Sequence, residues 1–330
     1  MRLARGLGAA IALFATLVAA PAIATPSRWE LARGGRAYPD EVARREVEVL
    51  LHSEKADRRN FPPTDPILGR DARFRKARYI LEDAKAESSP SWYLRLLYAR
   101  ILHELDKWKE ATPVFEGVLA DPRTPDVFKA DLLADLAIAY ARIDRQPDEI
   151  EAYEGALALT PIQASRCIML SNQAEAFMVS GDISRAILGY RAALEGLTIL
   201  EAPRIAPTTL WSLAVALDRG GDLGGALETV QRARSYDPND VMIHSDTWFF
   251  VPAYDQFYYE ALGTWDIARR SSDLETKRAF YEKTLTAWRN FLQSARASDP
   301  YVPVARARLA LAEREAAELE KRARTPTPTE

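Results

Sequence analysis

Residues 133–161 read LADLAIAYARIDRQPDEIEAYEGALALTP, and their spacing decides the fold. Leu133, Leu136, Ala137 and Tyr140 stand at i, i+3, i+4 and i+7, which puts them on one face of a helix. Tyr153 and Ala156 share a face of a second helix, and Pro161 closes it. Asp144-Arg145 marks the turn between the two.

The same order returns along the chain. A shift of 37 residues finds Leu170, Gln173, Ala174 and Phe177, then Tyr190, Ala193 and Thr198. A shift of 77 finds Leu210, Leu213, Ala214 and Leu217, then Val230, Ala233 and Pro238. A shift back of 38 finds Tyr98, Ala99 and Leu102, then Phe115 and Val118, with Pro122 displaced by one. The turns in these copies are Gly181-Asp182, Gly221-Asp222 and Asp106-Lys107. Glycine there permits the backbone conformation that ends a helix. The alanines mark places where two helices cross closely and a larger side chain would part them. A recurring unit of this length is the mark of a repeat array.

These residues, with Ala111, Ala186 and Ala226 early in the second helices, resemble the tetratricopeptide repeat family. The chain departs from the family pattern in two ways. The family favours tryptophan near the start of the first helix, where this sequence has Arg95, Leu133, Leu170 and Leu210. The family period is about 34 residues, whereas the steps here are 38, 37 and 40. The likeness is strongest over 92–238. It implies an all-α fold: a right-handed superhelical solenoid of helix-turn-helix repeats, closed by a C-terminal capping helix.

The resemblance also implies a concave groove lined by first helices. Its candidate contact residues are Leu96, Arg100 and His103 in one copy, and Ala134, Ile138 and Arg142 in the next. The third copy offers Ser171, Asn172, Glu175 and Met178, and the fourth Trp211, Val215 and Arg219. Trp211 is an anchor for a partner if exposed, since tryptophan dominates interface energetics; the alternative is packing against a neighbouring repeat. Some family members hold C-terminal carboxylates with lysines and asparagine. Only Asn172 fits that set here, so the mode is not carried over. A possible second surface is the aromatic run Trp248, Phe249, Phe250, Tyr254 and Tyr258, with internal packing as the alternative.

Outside the strong repeats, Ala77, Leu81 and Ala84 fit a second helix whose partner spans 40–55. The segment 60–66, rich in proline, is expected to be non-helical. Downstream, 254–268 and 274–295 form another pair, and 301–324 reads as a final helix with a narrow alanine–leucine stripe and an otherwise charged surface. The expected organisation is a signal peptide over 1–24, an N-terminal helix and proline-rich loop over 25–69, and the repeat array over 70–300. The capping helix at 301–324 and a disordered tail at 325–330 complete it. The signal assignment rests on Arg2 and Arg5, the apolar stretch Leu7–Ala20, and the small-x-small Ala22-Ile23-Ala24. That stretch is short for a spanning helix. Export to the periplasm or envelope is therefore expected, with no membrane span after cleavage.

The net charge is −3, with no long run of one sign, which gives no electrostatic basis for nucleic-acid binding. The single cysteine, Cys167, cannot form an internal disulfide and reads as a small buried residue. Three histidines, no HExxH, no CxxC pair and no phosphate-binding glycine loop point away from catalysis, cofactors and metal. His244-Ser245-Asp246 holds triad residue types, but sequence neighbours rarely reach triad geometry. The expected function is a non-catalytic scaffold for an unidentified protein or peptide. A self-associating structural component and an α-helical enzyme are the alternatives.

Overall fold

The computed structural model describes residues 37–60, 66–196, 205–244 and 250–324. The signal segment, the C-terminal tail, Ser245–Phe249 and residues 61–65 lie outside the described residues. Among those described there is no strand, and thirteen α-helices follow one another. They fall into two compact units, Met1–Pro161 and Ile162–Glu330.

The first unit holds α1 (Ala37–Asn60), α2 (Pro66–Asp83), α3 (Trp92–Glu104), α4 (Trp108–Leu119), α5 (Asp126–Arg142) and α6 (Gln146–Leu159). The second holds α7 (Gln163–Val179), α8 (Ile183–Gly196), α9 (Ile205–Arg219), α10 (Leu223–Tyr236), α11 (Gln256–Arg270), α12 (Leu274–Ser294) and α13 (Val302–Arg324). Each odd-numbered helix through α11 packs on the even one that follows it, so the chain is a succession of helical hairpins.

The repeat residues are the core of both units. Ala99, Ala111, Ala137 and Ala156 in the first, and Ala174, Ala186, Ala214, Ala226 and Ala233 in the second, are completely covered. Around them lie Leu102, Phe115, Leu136 and Tyr153, and in the second unit Tyr190, Leu210 and Val230. Burying each of these large side chains is worth about 1.5–3 kcal/mol, before the entropy of ordering the chain is set against it.

The hairpin turns share one construction. Asp106, Asp144, Gly181 and Gly221 all have positive φ, between 58° and 96°. After each, an amide reaches back five residues: Lys107 to Leu102, Arg145 to Tyr140, Asp182 to Phe177 and Asp222 to Leu217, at 2.8–3.0 Å. That is the Schellman closure of a helix end. Several helix starts are capped by side chains: Ser91 accepts from Leu94, Asp222 from Gly225 and Asp273 from Thr276.

Two boundaries differ from the sequence expectation. Asn60 ends α1 and Pro66 begins α2, so both ends of the proline-rich segment are helical and the hairpin array begins before residue 70. Proline is at home in a first helical turn, because its missing N–H would have no partner there.

Candidate functional site

Polar side chains link the first helices of neighbouring hairpins. In the first unit, Arg100 on α3 donates to Asp135 on α5 at 2.9 Å. In the second, Ser171 on α7 meets Thr209 on α9 at 3.1 Å. Between α9 and α11, Tyr259 donates to Ser212 at 3.0 Å and Tyr258 to Asp218 at 2.6 Å. Arg219 donates to Asp255, in the 3-10 turn Ala253–Asp255 before α11, at 2.8 Å. Burial pushes the carboxyls of Asp135, Asp218 and Asp255 up, against the pull of Arg100, of Tyr258 and Arg308, and of Arg219 respectively.

These links correct much of the expected groove. Leu96, Met178 and Val215 are buried apolar residues, and Arg100 and Arg219 are buried in ion pairs. Trp211 is 0% exposed and is no surface anchor. Its ring packs where α11 carries Gly263: a Cβ there would stand 3.0 Å from the indole. Arg234 lies over the same ring at 5.4 Å. Of the other candidates, His103, Ala134, Ile138, Ser171, Asn172 and Glu175 are half-buried, and Arg142 is exposed.

Where it is described, the aromatic run is buried at Tyr258 and half-buried at Phe250 and Tyr254. Tyr258 is buried edge-on to Trp288 and Phe291, Tyr254 meets Phe291, and Phe250 meets Tyr259 at 5.0 Å. Trp248 and Phe249 lie outside the described residues. Cys167 is buried as expected, its thiol pushed up first by burial, with Gln163 beside it at 3.8 Å.

The first-helix face of the second unit carries α13. Tyr301, just before this helix, donates to the backbone carbonyl of Met178 on α7. Its ring covers the Arg219 guanidinium at 4.1 Å, and Tyr258 covers the same guanidinium at 4.7 Å. Arg308 donates to Asp218 on α9 at 2.7 Å. Glu315 accepts from Trp265 Nε1 at 2.8 Å, from Arg269, and from Tyr281 at 3.2 Å. Arg278–Glu320 and Arg289–Glu313 hold the outer side to α12. A charged outer surface was expected for this helix, yet Arg308 and Glu315 both turn into the unit.

In the first unit, His103, Trp108 and Arg142 form a cluster that sequence reading only partly found. The His103 ring meets Trp108 at 4.4 Å and Phe115 at 6.1 Å, and Arg142 lies over Trp108 at 5.1 Å. Burial, then Arg100 and Arg142, hold the imidazole down to about 3, so it is neutral at neutral pH. Trp108 was missed because it opens a second helix, outside the positions the resemblance maps to the groove.

A cleft of about 500 Å³ opens between α5 and α6 beside the end of α4. It is lined by Leu119, Leu133, Leu136 and Tyr140 together with the acidic Asp148, Glu151 and Glu154. It too was missed, since Leu133 was read as core. His244 is exposed, and Ser245 and Asp246 lie outside the described residues. Among the described residues no three of His, Cys, Asp or Glu cluster as metal ligands would, and no helix is long and apolar enough to cross a membrane.

No family model matches this sequence, and no curated protein does. Similar solved structures include the C-terminal part of a TPR repeat-containing protein from Cytophaga hutchinsonii. It shows 14% identity over 75% of this chain and 91% of that one, with a TM-score of 0.44. BtubC from P. vanneervenii shows 16% identity over 90% of this chain and 96% of that one, with a TM-score of 0.40.

Proposed function

We propose that this chain is a tetratricopeptide-like scaffold, without catalytic activity, that holds a protein or peptide partner on its first-helix faces. The reading includes export by the N-terminal segment to the periplasm or envelope. The observation that carries it is the cross-linking of successive first helices. Four side-chain links, among them Arg100–Asp135 and Tyr258–Asp218, fix neighbouring first helices against one another, and Arg219–Asp255 ties α9 to the turn before α11. A surface fixed in advance loses little entropy when a partner is bound.

In the first unit the contact patch is the exposed Arg142 with Trp108 beneath it and His103 beside it. A cation stacked on an indole, next to a neutral imidazole, suits a partner offering a carboxylate beside an apolar group. Crosslinking in cells followed by mass spectrometry identifies the partner. The Arg142→Glu chain is expected to bind that partner at least tenfold more weakly, with its thermal midpoint unchanged within about 2 °C, as for an exposed side chain. Equal recovery by the wild-type and substituted chains defeats this reading.

A further inference from the structure

The inner side of α13 follows a seven-residue rhythm. Tyr301, Arg308 and Glu315 stand seven apart, and Ala305, Ala312 and Leu319 stand four after each. Positions spaced four and three lie along one seam of a helix. The alanines at 305 and 312 are completely covered, which lets the helix backbone lie close to the unit. The long side chains between them each reach a different place. Tyr301 reaches α7 and the Arg219 guanidinium, Arg308 reaches Asp218 on α9, and Glu315 reaches Trp265 and Arg269 on α11. Tyr301 and the helix it leads into thus touch three consecutive first helices.

Its hold on the first helices is chiefly polar, and the helix also packs on α12. Apart from Tyr301 and the two alanines, no apolar residue of this segment is fully buried; Leu309, Leu311 and Leu319 are half-buried. Arg308–Asp218, Arg269–Glu315, Arg278–Glu320 and Arg289–Glu313 are ion pairs with at least one partly exposed member. A helix held by such pairs can leave without abandoning a large apolar face of its own, and salt weakens its hold. The loop before it, 295–300, is short and mostly exposed.

Resting on the scaffold reading, we infer that α13 is a resident ligand: it occupies in cis a face that receives a partner helix bearing an aromatic residue, arginine and glutamate at seven-residue steps. The face identifies its ligand by three different chemistries in a fixed order. Arg219 takes the aromatic ring and the Met178 carbonyl its hydroxyl group, Asp218 takes the arginine, and the Trp265–Arg269 pair takes the carboxylate. A partner helix reaches the face when α13 vacates it.

The test uses the full chain with a protease site built into 296–298, and a fluorescent synthetic peptide of residues 299–324 as the probe. After cleavage the chain is expected to keep its helical signal and to take up the peptide at least tenfold faster than the uncut chain, faster still in high salt. Peptides carrying Arg308→Glu or Glu315→Lys are expected to bind at least tenfold more weakly. The inference is overturned if the cut chain unfolds, if it takes up no peptide, if cut and uncut chains behave alike, or if the substituted peptides bind equally. Hydrogen exchange on the uncut chain reads the same property without cutting. Amides of 302–324 should exchange at least tenfold faster than those of 205–219, and Arg308→Glu should widen that gap. Equal rates in the two helices would make α13 part of the core and end the idea. None of these failures touches the Arg142 patch of the first unit, whose own experiment stands apart.

Discussion

At the scale of single residues, charge does much of the work in the second unit. Arg219 is buried with Asp255 and lies between the rings of Tyr258 and Tyr301. Removing one partner of such a pair strands a charge out of water, at a cost of about 3–5 kcal/mol. Arg219→Met and Asp255→Leu should each lower unfolding stability by that order, measured by denaturant titration. The double substitution should cost clearly less than the two single changes summed, because it strands nothing. Strict additivity in the cycle would mean that the two groups do not act as a pair. These residues show what a sequence hides. Arg219 sits at a position that the family likeness assigns to a ligand groove, and an arginine there reads as a ligand contact. Its covering tyrosines lie 39 and 82 residues further on, and no local pattern announces them.

At the scale of the element, the hairpin was almost wholly legible. Most face residues, the covered alanines and all four turn positions stand where spacing placed them, because helix periodicity and the left-handed turn are local constraints; Leu133 and Leu170 are only half-buried. The turns also supply a test, since two copies use glycine and two use aspartate. Gly221→Ala forces a methyl-bearing residue into φ 96°, which should cost about 1 kcal/mol. Asp144→Gly, at φ 61°, should be neutral or slightly stabilising, because it relieves the same strain. Thermal melts of the two variants check this, and a larger loss for Asp144→Gly than for Gly221→Ala would refute the shared construction. What periodicity could not convey was α13. Its charged residues read as a solvated surface, whereas two of them are internal contacts. A helix wheel distinguishes polar from apolar, not paired from free.

At the scale of the whole molecule, the repeat phase gave the all-α hairpin architecture, while the division into two units after Pro161 has no counterpart in the repeat pattern. Trp211 belongs to this scale, because its burial depends on the next hairpin offering Gly263 opposite the ring. In arrays where units touch mainly their neighbours, damage stays local. Trp211→Ala should therefore cost the second unit about 3–5 kcal/mol, with amide protection lost across 205–270 and retained across 92–159. Uniform loss through both stretches, read by hydrogen exchange, would contradict nearest-neighbour stability.

The links between first helices also bear on how such a chain could be rearranged. A hairpin cut out at its loops and grafted elsewhere takes only half of each link. Moved alone, α9 and α10 would carry Asp218 and Arg219 away from Tyr258 and Asp255, leaving unmatched charge at both the donor site and the new seam. The smallest transplantable piece of the second unit is thus a hairpin together with the first helix after it. Shuffling at single-repeat boundaries should yield poorly folded chimaeras, however well the apolar faces match.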